Sequence, residues 1–204
     1  MASVVVYLLA YLLGGILFGP LIARRAGIDL YEGGSGNPGA TNVERLVGHR
    51  AALLVLGLDA AKGALAVALH AVATPTTPEV GDRFGVAFAV VLGHCAPAFA
   101  PTRGGKGVAT ALGAITVLDP VGGAIFVVGY LSARKASGFG SVGSLVGVAL
   151  ASLRVALANS SDGDVGMLGA LVALVFVRHA DNLARLVRGE EPRSGGAPPD
   201  VEED

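Results

Sequence analysis

The chain has 204 residues, of which 52% are hydrophobic and only 15% charged. Soluble domains carry about 25% charged residues, so this composition excludes an ordinary soluble domain and indicates a polytopic membrane protein. The net charge of -1 discriminates nothing, and a single cysteine, Cys95, excludes a disulfide framework and a thiolate zinc site.

Residues 4–23 form an apolar run of the roughly 20 residues that a bilayer requires, closed by Arg24 and Arg25. No basic region precedes the run, so it reads as a retained first span rather than a cleaved leader. Then comes Gly33-Gly34-Ser35-Gly36-Asn37-Pro38-Gly39-Ala40-Thr41-Asn42. Glycine costs about 1 kcal/mol per helical position, so the first half is a loop. Asn37 is expected as an N-cap with Pro38 at the first helical position. Gly39, Ala40 and Thr41 would then present free amides, an anion site at a helix start, with Arg45 farther along and Gly48 as the stop. Gly-Ser-Gly-Asn-Pro-Gly formally matches a dinucleotide fingerprint, but that pattern needs a preceding strand, and here a membrane-length helix stands there.

Residues 51–73 are the second span. It carries Asp59 and Lys62, three apart and so on one face. Intramembrane charges are costly, and the pair is either a mutually neutralising structural element or part of a substrate site. A turn at 74–81 precedes the third span, which starts at residue 84 and runs into Gly93-His94-Cys95-Ala96-Pro97. A second glycine-rich stretch follows, Pro101-Thr102-Arg103-Gly104-Gly105-Lys106-Gly107. A glycine turn again opens a helix, here with a lysine at its mouth, which makes a second anion site. It is not a Walker loop: Gly107 follows Lys106 where Ser or Thr is required, and Ala100 replaces the first glycine.

Residues 108–131 are apolar but interrupted by Asp119-Pro120-Val121-Gly122-Gly123, and form either one kinked helix or two short ones. A basic loop (132–140), a span at 142–157 containing Arg154, an acidic turn (159–164), a short last span (165–177) and a basic segment (178–193) complete the chain. Charge topology arbitrates at Asp119. With two helices there are seven spans, the N-terminus lies outside, and 12 of the 15 basic residues fall on the cytoplasmic side, all but Lys62, Arg83 and Arg154. Glu79, Asp82, Asp119, Asp162 and Asp164 then lie outside. The expected architecture is therefore all-α, with seven transmembrane helices and short cytoplasmic loops. The two helices beside Asp119 are thin for a bilayer, so neighbours should shield them. Residues 1–190 form one membrane-embedded domain; 191–204, charged and rich in Pro and Gly, are expected to be a disordered tail.

This topology puts four polar stretches on one membrane face: 35–45, 94–110, Ser141 with Ser144, and His179 with Asn182 and Arg185. Ser141 and Ser144 are either cap and packing or part of a site. His94 either braces its helix end or joins the site, and His49 and His70 read as structural or solvated. Cys95 reads as packing. No Ser-His-Asp or Cys-His set is present, and no cluster has metal-ligand spacing, so neither metal nor cofactor is expected. Two anion sites without a protein nucleophile suit direct transfer between two bound phosphorylated substrates, driven by orientation and electrostatics.

These residues resemble the bacterial acyl-phosphate:glycerol-3-phosphate acyltransferases. The resemblance rests on Gly34 to Asn42 with Arg45, on Gly93-His94 with Pro97 and Gly104 to Thr110, and on His179 with Asn182, Arg185-Leu186 and Gly189-Glu190. Asp59 with Lys62-Gly63 and the Ser141/Ser144 stretch look similar too. Ala96 and Thr102 stand where the family often has bulkier residues, and Asp181 and Leu183 are local variations. The resemblance implies a catalytic domain in the bacterial inner membrane, with active site and C-terminus cytoplasmic and no nucleic-acid partner; the sequence does not fix the oligomeric state, and a monomer is only the expectation. It would move a fatty acyl group from acyl phosphate to the sn-1 hydroxyl of glycerol 3-phosphate, releasing lysophosphatidate and phosphate. Carried over by resemblance, the amides of Gly39, Ala40, Thr41 and Asn42 hold the acyl-phosphate head. Arg45 and Lys106 bind phosphate, in the loop of Gly104 and Gly105. Ser35, His179 and Asn182 orient glycerol 3-phosphate, and Asn37 shapes the loop or the acyl carbonyl site. The base is either the acceptor's own phosphate or His179, whose ordinary pKa of about 6.5 suits the task. A transporter of a phosphorylated anion is the alternative, because paired short helices and intramembrane charge also mark transporters.

Overall fold

The computed structural model describes residues 2–73, 80–158 and 162–194, and among them there are helices and no strands. Of the expected turns, residues 74–79 and 159–161 lie outside the described set, as do 195–204 of the tail and the side chains of Asp82, Asp162 and Asp164.

The first apolar run is not one helix. It divides into α1 (Ala2–Gly14) and α2 (Phe18–Arg25). Pro20 is the physical reason: it has no N–H to offer the carbonyl four residues back, that of Ile16, and its ring collides there. The freed Ile16 carbonyl instead accepts from Lys62 Nζ at 2.7 Å. A broken backbone at membrane depth is tolerated only where such a donor replaces the helical one.

The helix after the glycine loop, α3 (Ala40–Leu46), starts later than expected. Gly39 is its N-cap in extended conformation. Asn37 is not the cap; its Oδ1 accepts from the Gly39 amide at 2.9 Å and closes a local turn. Gly48 takes φ of +118° just beyond the helix end. Helix α4 (His49–Ala73) covers the expected second span, and α5 (Val80–Cys95) the expected third. Pro101–Arg103 form a single 3-10 turn.

The segment at 108–131 is two helices, α6 (Val108–Leu118) and α7 (Pro120–Ser137). Asp119 separates them: its Oδ1 accepts from the amides of Val121 at 3.0 Å and Gly122 at 3.1 Å, and Pro120 occupies the first helical position. Helices α8 (Gly140–Ala158), α9 (Asp162–Arg178) and α10 (Ala180–Arg188) follow, with a 51° bend between the last two.

Helix α1 packs along α5, α4 along α6, and α7 along α8. The α4–α6 contact is backbone to backbone, since a Cβ on Gly113 would lie 1.8 Å from the Ala60 carbonyl oxygen. The pattern of burial is that of a membrane protein. Asp59, Lys62, His94, His179 and Asn182 are buried, while Leu8, Leu9, Leu54, Leu69, Val128 and Leu153 are exposed on the outer faces. The stretches 4–25, 49–73 and 140–158 are long and apolar enough to cross a membrane, and α9 with α10 makes a bent fourth candidate.

Candidate active site

A cavity of about 370 Å³ opens where α3, α4, α6, α7 and α8 converge with the α9–α10 bend. Ser35, Asn37, Gly39, Ala40, Thr41, Asn42, Arg45, Lys106, Ser141, Ser144, His179 and Asn182 line it. Gly104 and Gly105 do not. Their carbonyls turn away and accept from Arg178, Gly104 O from Nη2 at 2.6 Å and Gly105 O from Nε at 3.0 Å. The Gly105 amide donates to the His94 carbonyl at 2.9 Å. These two glycines are therefore the foundation of the loop, and Lys106 and Gly107 are its cavity-facing lip.

The first loop is held by its own side chains. Asn42 is buried and its Oδ1 accepts from the Ser35 amide at 2.9 Å. Its Nδ2 donates to the carbonyls of Leu30 and Gly33, each at 3.1 Å. The Gly39 amide is committed to Asn37 and the Asn42 amide to the Gly39 carbonyl at 3.0 Å. Of the four amides expected to face an anion, those of Ala40 and Thr41 are left at the start of α3. Arg45, one turn on, adds a guanidinium to the same wall.

The opposite wall is a polar chain. Lys106 Nζ donates to Asn182 Oδ1 at 2.5 Å, and Asn182 Nδ2 donates to Glu191 Oε1 at 2.6 Å. Ser141 Oγ donates to the same Oε1 at 2.8 Å, and Arg185 Nε to Oε2 at 2.9 Å. Ser144 is satisfied differently, its hydroxyl bonding back to the Gly140 carbonyl at 2.8 Å. His179 sits at the bend; its Nδ1 lies 2.8 Å from the Val175 carbonyl, which can only accept, so Nδ1 carries the proton and Nε2 is left with a lone pair.

Burial pushes the Lys106 ammonium down to about 8, against the pull of Glu191. Burial alone would raise the Glu191 carboxyl; the hydrogen bonds from Asn182, Ser141 and Arg185 outweigh it and hold the group below the usual carboxylate range.

Two contributors escaped the sequence reading. By composition Glu191 belongs to the expected disordered tail, yet 191–194 fold back, and the Ser194 amide donates to the Gly138 carbonyl at 2.9 Å. The signal for it was Gly189, which takes φ of +72° just past α10 and turns the chain back toward the site. Arg178 reads in the sequence only as a cytoplasmic charge, yet it holds the carbonyls of Gly104 and Gly105. Asp59 and His94 also reach the cavity wall.

Glu44, His49 and Arg134 also line the cavity, and one stretch of its wall is apolar. Leu53 and Leu56 of α4 face Val127 and Leu131 of α7 across it, and all four are also exposed on the outer surface. The cavity therefore opens sideways toward the lipid-facing side. Its shape and chemistry fit an amphipathic ligand with an anionic head and an apolar tail.

Residues 4–189 match the family model described as Glycerol-3-phosphate acyltransferase. The chain is 42% identical over 187 residues to a glycerol-3-phosphate acyltransferase of Myxococcus xanthus (strain DK1622), covering 91% of this chain and 96% of that one. It is 43% identical over 190 residues to one of Jannaschia sp. (strain CCS1), covering 92% and 91%. Its fold is similar to the crystal structure of PlsY (YgiH), an integral membrane glycerol 3-phosphate acyltransferase, in its glycerol 3-phosphate form. There the TM-score is 0.89 and the identity 34%, with 96% of both chains covered. The lysophosphatidic acid form of that protein aligns with a TM-score of 0.86 at 33% identity, again over 96% of both chains.

Proposed function

Because this chain belongs to the glycerol-3-phosphate acyltransferase family, an integral membrane family, we propose that it moves a fatty acyl group from acyl phosphate to the sn-1 hydroxyl of glycerol 3-phosphate. The products are lysophosphatidate and inorganic phosphate. The observation that carries this reading is the cavity itself: a cationic and amide-lined polar end joined to an apolar wall that opens to lipid.

In this mechanism the donor's acyl chain lies between α4 and α7, and its phosphate meets the amides of Ala40 and Thr41 with Arg45. Glycerol 3-phosphate sits against Lys106, Ser35, His179 and Asn182, with Asn37 shaping the wall near the acyl carbonyl. Lys106 and the amides neutralise charge that builds on the phosphate and carbonyl oxygens during transfer. The lone pair on His179 Nε2 accepts from the acceptor hydroxyl and aims it. The acceptor's own phosphate takes the proton, and the acyl–phosphate bond breaks as the new ester forms. Alignment of two bound substrates then supplies most of the rate.

The same reading places α1 with α2, α4, α5, α6, α7, α8 and α9 as seven spans of the bacterial cytoplasmic membrane. The N-terminus lies outside, and the site and tail face the cytoplasm. Support comes from the charge topology of the sequence and from Arg45, Lys106, Arg134 and Arg185, which line the cavity.

Purified protein in detergent micelles, given acyl phosphate and glycerol 3-phosphate, should produce lysophosphatidate; no product would sink the proposal. His179→Gln should slow turnover about tenfold with an unchanged pH profile, the loss of one orienting hydrogen bond. Loss of rate and pH dependence together would instead make His179 the base.

A further inference from the structure

The buried charges Asp59, Lys62 and His94 lie on two different helices and behind both loops. Lys62 Nζ approaches Asp59 Oδ1 at 2.7 Å, His94 Nδ1 at 2.8 Å and the Ile16 carbonyl at 2.7 Å. The contact with Asp59 is one of charge rather than an aligned hydrogen bond. His94 Nδ1 is 3.6 Å from Asp59 Oδ1. All three residues are at most 4% exposed. A pair that only neutralised itself would need no third member and no contact with either loop.

This cluster has both. Toward the lysine loop, the His94 carbonyl accepts from the Gly105 amide, and the ring lies against Gly105, where a Cβ would fall 2.1 Å from Nε2. Toward the first loop, Lys62 holds the break between α1 and α2. Helix α2 in turn touches that loop at Pro38, whose carbonyl oxygen would lie 1.8 Å from a Cβ on Gly19. We infer that Asp59, Lys62 and His94 are positioning residues that fix the lysine loop relative to the first loop, and so set the spacing between the two anion sites. That role in catalysis rests on the acyltransferase reading; the mechanical role does not.

The single cysteine reports on it directly. Cys95 is 1% exposed and lies beneath Gly107, where a Cβ would come within 2.9 Å of its Sγ. The test compares the wild-type chain with Asp59→Asn/Lys62→Met and with His94→Asn in micelles. It measures the rate at which a small maleimide modifies Cys95, the helix content and melting by circular dichroism, and the KM for glycerol 3-phosphate. Expected are near-native melting for His94→Asn and a lowered melting of a still folded double variant, since Lys62→Met leaves the Ile16 carbonyl without its donor; in both, Cys95 is modified about tenfold faster because the loop opens locally, and the KM is raised about tenfold by loop misplacement. A merely structural role would lower the folded fraction and kcat while leaving KM untouched. Wild-type modification of Cys95 in a folded variant overturns the inference, and so does faster modification with an unchanged KM. If the double variant does not fold, His94→Asn, which leaves the Asp59–Lys62 contact in place, decides it alone. Faster modification in the variants together with a wild-type chain that makes no lysophosphatidate would retain the mechanical role and remove the acyltransferase reading.

Discussion

The two glycine-rich loops face one cavity, but they are built in opposite ways. The first, at 33–42, is closed by residues of its own neighbourhood. Asn37 accepts from Gly39 two residues on, and Asn42 binds Ser35, Gly33 and Leu30. The second, at 104–107, has no such side chain. It is held from outside, by the His94 carbonyl and by Arg178, which is more than seventy residues away in the chain. A self-closed loop keeps its shape as long as its own polar groups are satisfied. An externally held loop takes its shape from the packing of the helices around it, and is therefore the one through which that packing controls chemistry.

The largest effect should come from the lip of the externally held loop. Lys106→Ala should lower kcat/KM about 10²- to 10³-fold, the cost of losing one charged donor in a preorganised site, with melting unchanged. Near-normal kinetics would remove Lys106 from the site. Arg178→Leu removes no group that lines the cavity, yet it should cost about 100-fold, because misplacement by about 1 Å is that expensive. An activity like that of the wild type would mean that the loop closes itself after all, and would erase the contrast between the two loops. Asn42→Ala tests the other side. It leaves the Ser35 amide and two carbonyls without partners, and should lower stability by about 1–3 kcal/mol in denaturant unfolding. A loss of activity with no loss of stability would show that the first loop is not self-closed.

The pH profile gives a smaller effect with two opposite signs. Lys106 titrates near 8 in the folded protein, below the ordinary lysine value. Phosphate binding needs the ammonium, so activity should fall as pH rises through 8 and be about tenfold lower at pH 9. Stability should move the other way. Between pH 8 and the ordinary lysine value the unfolded chain holds the proton that the folded chain has lost, so this group's contribution to stability rises with pH. Lys106→Arg should retain its charge and abolish the alkaline limb of the activity profile. Survival of that limb would assign it to another group.

Much of this was legible from local chemistry. The interruption at Asp119-Pro120 leaves one kinked helix or two short ones open, charge topology chooses two, and the helix boundary stands there. Gly48 and the glycine before Val108 mark turns because positive φ excludes most other residues. The polar residues that line the cavity could be named because each lies beside a loop or a helix end, where its type has a reason to be. What failed was also local in appearance. Asn37 looked like a cap because its residue type suits one, but its carbonyl oxygen serves Gly39 instead. Glu191 looked like tail because composition cannot register a chain that turns back on a glycine. Gly104 and Gly105 looked like anion donors because their carbonyl partner, Arg178, is invisible in their own stretch.

Membrane character, the helical class, the punctuation of the helices and the residue types of the site were therefore determined by the sequence alone, since each follows from hydropathy, propensity or backbone freedom over a few neighbouring positions. Three things were decided only in the folded molecule: which amides remain free, that Arg178 and Glu191 organise the second wall, and that Lys62 serves the break at Ile16. They depend on groups brought together across dozens of residues, where a buried donor or acceptor must be satisfied by whatever the packing places beside it.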